Sequence, residues 1–164
     1  MSQEQIVEVV IEIPRGSANK YEFDKERGRF VLDRVLYSPM FYPAEYGYIE
    51  ETLAEDGDPL DALVLTTYPT FPGVVIESRV VGYLRMADEK GEDEKLLAVA
   101  TGDPRMNHIR DLSDVPPHIL KEIAHFFEVY KTLENKKTEV RSWENAEAAA
   151  RLLENAQRRY RERG

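Results

Sequence analysis

The chain has 164 residues, 42 % of them hydrophobic, which suits one domain spanning 1–164 with a real core and argues against disorder. Its formal charge is −9, from 22 Lys plus Arg against 31 Asp plus Glu, a balance unfavourable for nucleic acid and for anionic membranes. The absence of cysteine excludes disulfides, zinc–thiolate sites and cysteine nucleophiles, and fits a cytoplasmic protein.

The opening Met1-Ser-Gln-Glu-Gln-Ile6 is polar and acidic and shows no targeting pattern. No segment reaches the ~20 apolar residues of a membrane span. Ile6 to Ile13 reads as a β-branched strand ending at Pro14-Arg-Gly16. Lys20–Phe23 alternates, with Lys20 and Glu22 on one face, and a polar turn ending at Gly28 leads into Phe30–Leu36. Phe41–Tyr48 is dense in tyrosine. Further strands are expected at Ala62–Thr66, Val74–Leu84 and Leu96–Ala100. After Pro116-Pro117, the spacing of Ile119, Leu120, Ile123, Ala124, Phe127 and Tyr130 predicts a helix. A second helix is expected from about Trp143 to Tyr160, capped by Ser142 and carrying the stripe Ala146, Ala149, Ala150, Leu153, Ala156 and Tyr160. Short strands with Gly and Pro punctuation, followed by two helices, point to an α+β chain built on a closed or partly closed barrel.

The most informative stretch is Asp56-Gly-Asp-Pro-Leu-Asp61, three carboxylates in six residues with no base between them. Crowded carboxylates repel unless a cation, a proton or solvent compensates. Mg²⁺ takes few protein carboxylates and completes its shell with water and phosphate oxygens. The alternative is a solvated acidic turn. A second acidic connection, Asp88 to Lys95, follows the strand ending near Leu84, and the two loops are expected to share one cavity. The competing reading there is a charged hairpin surface. Arg34, inside an apolar run, needs an anionic partner, either phosphate or a structural carboxylate. Lys131 ends the first helix, where a cation also suits the helix dipole. Phosphate-loop and dinucleotide glycine motifs are absent, as is a nucleophile elbow.

Asp56-Gly-Asp-Pro-Leu-Asp-Ala62 resembles the signature of the soluble family I inorganic pyrophosphatases. Further blocks are similar and in order: Ile11-Glu-Ile-Pro14, Lys20-Tyr-Glu22, Asp33-Arg34, Phe41-Tyr-Pro43, Tyr46-Gly-Tyr48, Asp88-Glu89, Gly91-Glu-Asp93, Lys95, His125–Lys131 and Trp143–Ala148. The resemblance implies a small five-stranded, OB-like barrel with flanking C-terminal helices. It implies hydrolysis of pyrophosphate to two orthophosphates by a metal-activated water. Several Mg²⁺ ions are expected per subunit, with Mn²⁺ as a substitute. Asp56, Asp61, Asp88 and Asp93 are the implied metal ligands, and Asp58 the general base. Lys20, Arg34, Tyr46, Lys95, Tyr130 and Lys131 are the implied substrate ligands, supported by Glu12, Glu22 and Tyr42. A homohexamer of paired trimers is also implied, with the helix carrying His125 and Phe126 as a contact surface. A non-catalytic barrel module and a phosphatase for organic phosphates are the rival readings, separable by Mg²⁺-dependent phosphate release and a substrate panel.

Overall fold

A computed structural model describes residues 4–163; the first three residues of the N-terminal reading lie outside them. The elements in chain order are β1 (Ile6–Ile13), β2 (Asn19–Asp24), β3 (Arg29–Val35), β4 (Glu45–Ile49), β5 (Leu60–Leu65), β6 (Val75–Asp88), β7 (Gly91–Glu92), β8 (Lys95–Ala100), α1 (Pro117–Val129), β9 (Glu139–Asn145) and α2 (Ala146–Arg161). Short 3-10 turns occupy Pro104–Met106, Leu112–Asp114 and Thr132–Glu134. Among the described residues, no helix is long and apolar enough to cross a membrane.

The α+β class and the C-terminal helices stand, but the expected five-stranded OB-like barrel is corrected. The strands form a seven-stranded sheet ordered β1-β4-β5-β8-β6-β7, with β9 also on β6, while β2 and β3 pair as a separate two-stranded sheet. The reason lies in β6. Its 14 residues pair with β1 over Val75–Arg79 and with β9 over Gly82–Ala87, while β8 pairs with it over Ser78–Leu84. Four strands thus pair with β6, and the sheet counts seven strands where five were expected. It also extends past Leu84 to Asp88, carrying regular pairing into what reads as an acidic loop.

Two apolar clusters fill the body. One gathers Tyr42, Tyr46, Leu84, Leu97 and the α1 residues Ile123, Phe126 and Phe127. The other gathers Val7, Val9, Ile11, Val64 and the α2 residues Ala149, Leu153 and Ala156. The helical stripes in the sequence are therefore spent inside the subunit. Phe126 is buried, which removes it as a contact to another chain, while His125 remains exposed on α1. The large exposed apolar side chains include Phe41, Tyr68 and Phe71. The second helix starts later than its pattern suggests. Trp143 and Ser142 belong to β9, and Asn145 caps α2 by accepting from the Ala148 N–H at 3.0 Å.

Gly47 explains how a strand passes through the tyrosine-rich segment. Its place opposite Ile11 brings the β1 backbone so close that a Cβ would lie 1.8 Å from the Val10 carbonyl oxygen. Backbone cannot yield as a side-chain tip can. Gly47→Ala is expected to destabilise the protein by roughly 3 kcal/mol or to prevent folding. Chemical denaturation beside the parent protein checks this; an unchanged midpoint would refute the close approach.

Candidate active site

Parallel pairing of β5 with β8 sets Asp61 beside Lys95, although 34 positions separate them in the chain. Lys95 is only 2 % exposed. Its Nζ donates to Asp61 Oδ2 at 2.7 Å, to Tyr46 Oη at 2.7 Å and to Asp93 Oδ2 at 3.0 Å. An ammonium has three donors, so all are satisfied by protein oxygens. Tyr46 in turn donates to Asp61 Oδ2 at 2.9 Å. The Tyr46 and Phe127 rings flank the charge at 5.2 and 5.5 Å. Burial by itself would depress the lysine pKa, but Asp61, Tyr46 and Asp93 hold it well above its ordinary value. Burial raises Asp93, and Asp61 and Asp88 add to that rise, against the pull of Lys95.

Glu12 enters the same region through an irregularity in β1. Ile11 faces Gly47 and Ile13 faces Tyr46, so Glu12 is an extra residue in the β1–β4 ladder. Such a bulge re-aims side chains. Ile11 and Ile13 pack in different apolar clusters as a result. Glu12 Oε2 accepts from the Phe23 N–H at 2.9 Å, tying β1 to β2. Burial is the main cause that pushes the Glu12 pKa up to about 7, with Asp61 adding to it. Glu12 lines a cleft of about 620 Å³ together with Lys20, Glu22, Tyr46, Asp58 and Asp61.

A second bulge lies in the β2–β3 hairpin. Lys20 faces Arg34 and Tyr21 faces Leu32, leaving Asp33 as the extra residue. Asp33 Oδ2 receives Arg34 Nη1 at 2.6 Å and lies 3.5 Å from Lys20 Nζ. Burial opposes ionisation of Asp33, yet Lys20 and Arg34 hold its pKa below the usual carboxylate value. Arg34 Nε is 3.1 Å from Glu134 Oε1. Arg34 thus carries two carboxylate partners, Asp33 and Glu134, where the sequence left phosphate and a structural carboxylate both open. Neither partner was assigned a role from sequence; Glu134 lies a hundred positions from Arg34 and had no motif to mark it.

The remaining expected residues divide by location. Asp58 reaches the cleft, whereas Asp56 is exposed, does not line it, and accepts from the Asp58 N–H at 3.0 Å within the turn. Gly57 takes φ 90° there, a left-handed conformation suited to glycine. Asp88 lies at the end of β6, 3.9 Å from Lys131 Nζ. Burial lowers the Lys131 pKa, partly offset by Glu89 and Asp88. Tyr130 is buried beside Phe126 and Phe127, and burial pushes its phenol up to about 12. Tyr42 packs between Tyr46 and Phe126, its pKa raised well up by burial. Asp61 and Asp93 therefore meet at the Lys95 ammonium, but of the four acidic residues expected in one cavity only Asp61 lines the cleft.

The donor set suits a hard divalent cation. Its ligating atoms are carboxylate oxygens, and Asp93 feels the repulsion of both Asp61 and Asp88. Among the described residues, no three acidic or histidine side chains converge into a ready-made cage. Mg²⁺ takes one or two protein carboxylates and fills its shell with water and phosphate oxygens. Acidic oxygens facing a cleft that also carries lysine, with arginine alongside, define a metal-dependent enzyme for phosphate anions.

The comparisons make this specific. The family model described as inorganic pyrophosphatase matches residues 9–161. The inorganic pyrophosphatase of Geobacillus stearothermophilus is 63 % identical over 98 % of this chain and 97 % of its own length. That of Methanosarcina acetivorans is 55 % identical over 99 % and 97 %. The crystal structure of the Thermus thermophilus inorganic pyrophosphatase superposes with a TM-score of 0.93 at 52 % identity, covering 95 % of this chain and 91 % of that one. The chain belongs to the inorganic pyrophosphatase family.

The half-buried Glu12 yields a pH prediction. Its folded pKa of about 7 exceeds its ordinary 4.5, so between those values the folded chain binds more protons than the unfolded chain. Stability of metal-free protein should therefore fall as pH rises from 4.5 to 7. Denaturation in EDTA across this range is expected to show a shallower fall for Glu12→Gln. Identical slopes in both proteins would reject the burial of Glu12.

Proposed function

We infer that this protein hydrolyses inorganic pyrophosphate to two orthophosphates in a Mg²⁺-dependent reaction. The observation that carries this reading is the family match across 9–161, joined to a cleft where Asp58 and Asp61 face Lys20. Asp56, Asp61, Asp88 and Asp93 hold the cations. When bound, Mg²⁺ supplies positive charge for the substrate oxygens and lowers the pKa of coordinated water.

The chain's own residues do the rest. Asp58 accepts the proton of the attacking water; Pro59 restricts it toward extended backbone and leaves its carboxylate exposed at the cleft. Lys20, Arg34 and Lys131 attract the phosphate oxygens and stabilise charge on the leaving group. Lys95 adds charge from below the cleft, and reaches a phosphate oxygen by giving up one of its three protein partners. Tyr46 and Tyr130 offer phenol donors, and Tyr42 packs behind Tyr46. Glu12 and Glu22 act at the rim through water. More than one Mg²⁺ binds per subunit, and Mn²⁺ substitutes for it. The whole chain works as one domain in the cytoplasm, as a homohexamer of paired trimers, and its net charge of −9 keeps it from nucleic acid. Exposed Phe41, Tyr68 and Phe71 supply apolar surface for assembly in place of Phe126.

Asp58→Asn separates base from ligand. It is expected to keep the fold and Mg²⁺ binding but to lose about 10²-fold or more in turnover, because a positioned base contributes on that order. Asp61→Asn should lose metal affinity as well. Calorimetric Mg²⁺ titration beside pyrophosphate-dependent phosphate release tests the pair. Near-normal turnover of Asp58→Asn would overturn its role, and phosphate release unaffected by EDTA would overturn the metal dependence.

A further inference from the structure

We propose that Glu134 is a positioning residue for Arg34, aiming its guanidinium at a phosphate group of the substrate; this rests on the reading of Arg34 as a substrate ligand. Glu134 belongs to the 3-10 turn that follows α1, and its side chain is only 5 % exposed. A carboxylate so placed must be compensated, and the Arg34 Nε at 3.1 Å is its ion-pair partner. Asp33 occupies Nη1 of the same guanidinium from the opposite side in sequence, through the β3 bulge. A guanidinium has five N–H donors in a rigid plane. Asp33 hydrogen-bonds Nη1 and Glu134 lies beside Nε as an ion pair, while among the described residues Nη2 has no protein hydrogen-bond partner. Two anchors on a rigid plane fix the direction of its remaining donors.

The Glu134 contact is close but poorly aligned. Arg34 Nε and Glu134 Oε2 are both buried without a hydrogen-bond partner. Unsatisfied buried groups in a native fold call for an explanation. An arginine–carboxylate pair is strongest as a paired fork. A guanidinium held off that optimum keeps donors for a third partner. Glu134 also ties the hairpin strand β3 to the turn after α1, the segment that carries Tyr130 and Lys131.

The sign of the effect distinguishes positioning from simple counter-charge. A negative charge beside Arg34 repels an anionic substrate. If Glu134 were only a counter-charge, its neutralisation would tighten pyrophosphate binding. If it positions Arg34, neutralisation loosens binding in spite of the charge removed. Glu134→Gln is therefore expected to raise KM for Mg²⁺-pyrophosphate by about tenfold, the worth of one charge-assisted hydrogen bond, with a smaller change in kcat. Glu134→Asp, which keeps the charge, should recover part of the loss and also serves if Glu134→Gln folds poorly. In an Arg34→Ala background, Glu134→Gln should change KM little. Steady-state kinetics on the four combinations, with thermal unfolding as the fold control, decide the matter. An unchanged or lower KM in Glu134→Gln, or additive effects in the double variant, would overturn the proposal. An Arg34→Ala enzyme with parental KM and kcat would instead overturn the role of Arg34 on which it rests.

Discussion

An ammonium group held out of water between two carboxylates organises this molecule. Taking Lys95 from solvent costs several kcal/mol in order of magnitude, and such a cost is offset only by near-complete local satisfaction. Asp61, Asp93 and Tyr46 provide that satisfaction, one for each donor. They come from β5, from the connection after β7, and from β4. The parallel pairing of β5 with β8, the aromatic packing of Phe127 and the placement of both acidic connections must therefore agree around one nitrogen. The apolar cluster beneath α1 keeps that nitrogen dry, which strengthens each of its contacts.

Charge around the cleft is arranged in layers. Lys95 lies beneath, acidic side chains line the wall and mouth, and the β2–β3 hairpin adds Lys20 from one side, with Arg34 beside it. The hairpin belongs to a separate sheet and meets the main body through side chains, notably Glu12 on the Phe23 amide and Glu134 beside Arg34. Two of the strand bulges fall at this junction, at Glu12 and at Asp33. Regular ladders would have sent these side chains elsewhere.

Much of this was readable where one element carries its own pattern. The β-branched run 6–13 and the stripe of α1 declare themselves by period, and the acidic hexapeptide by composition. The strand Glu45–Ile49 did not, because its segment stands out only by its tyrosines; Gly47 there gives clearance for the β1 backbone, which only packing reveals. Trp143 and Ser142 extend the helical pattern of α2 backward, yet pairing with β6 claims them. The link between Asp61 and Lys95 depends on parallel register across distant segments, and that of Arg34 with Glu134 on the path of the chain after α1. Neither leaves a local trace. The five-strand expectation missed β7, which reads as an acidic loop, and β9, whose Ser142 and Trp143 read as the start of a helix.

The strand β9 has a consequence for how the chain comes into being. It pairs with the second half of β6, yet some fifty residues of chain intervene between those partners. During synthesis from the N-terminus, the apolar half-strand Gly82–Ala87 emerges long before residues 139–145 exist to cover its edge. For that interval the nascent chain presents an unpaired hydrophobic edge, the feature that invites association with neighbouring chains. The charged hairpin turn immediately after it, Asp88-Glu-Lys90, follows from the ribosome within a few residues and supplies the flanking charge that keeps such an edge in solution. The acidic residues at the end of β6 thus serve the newborn chain before any phosphate arrives.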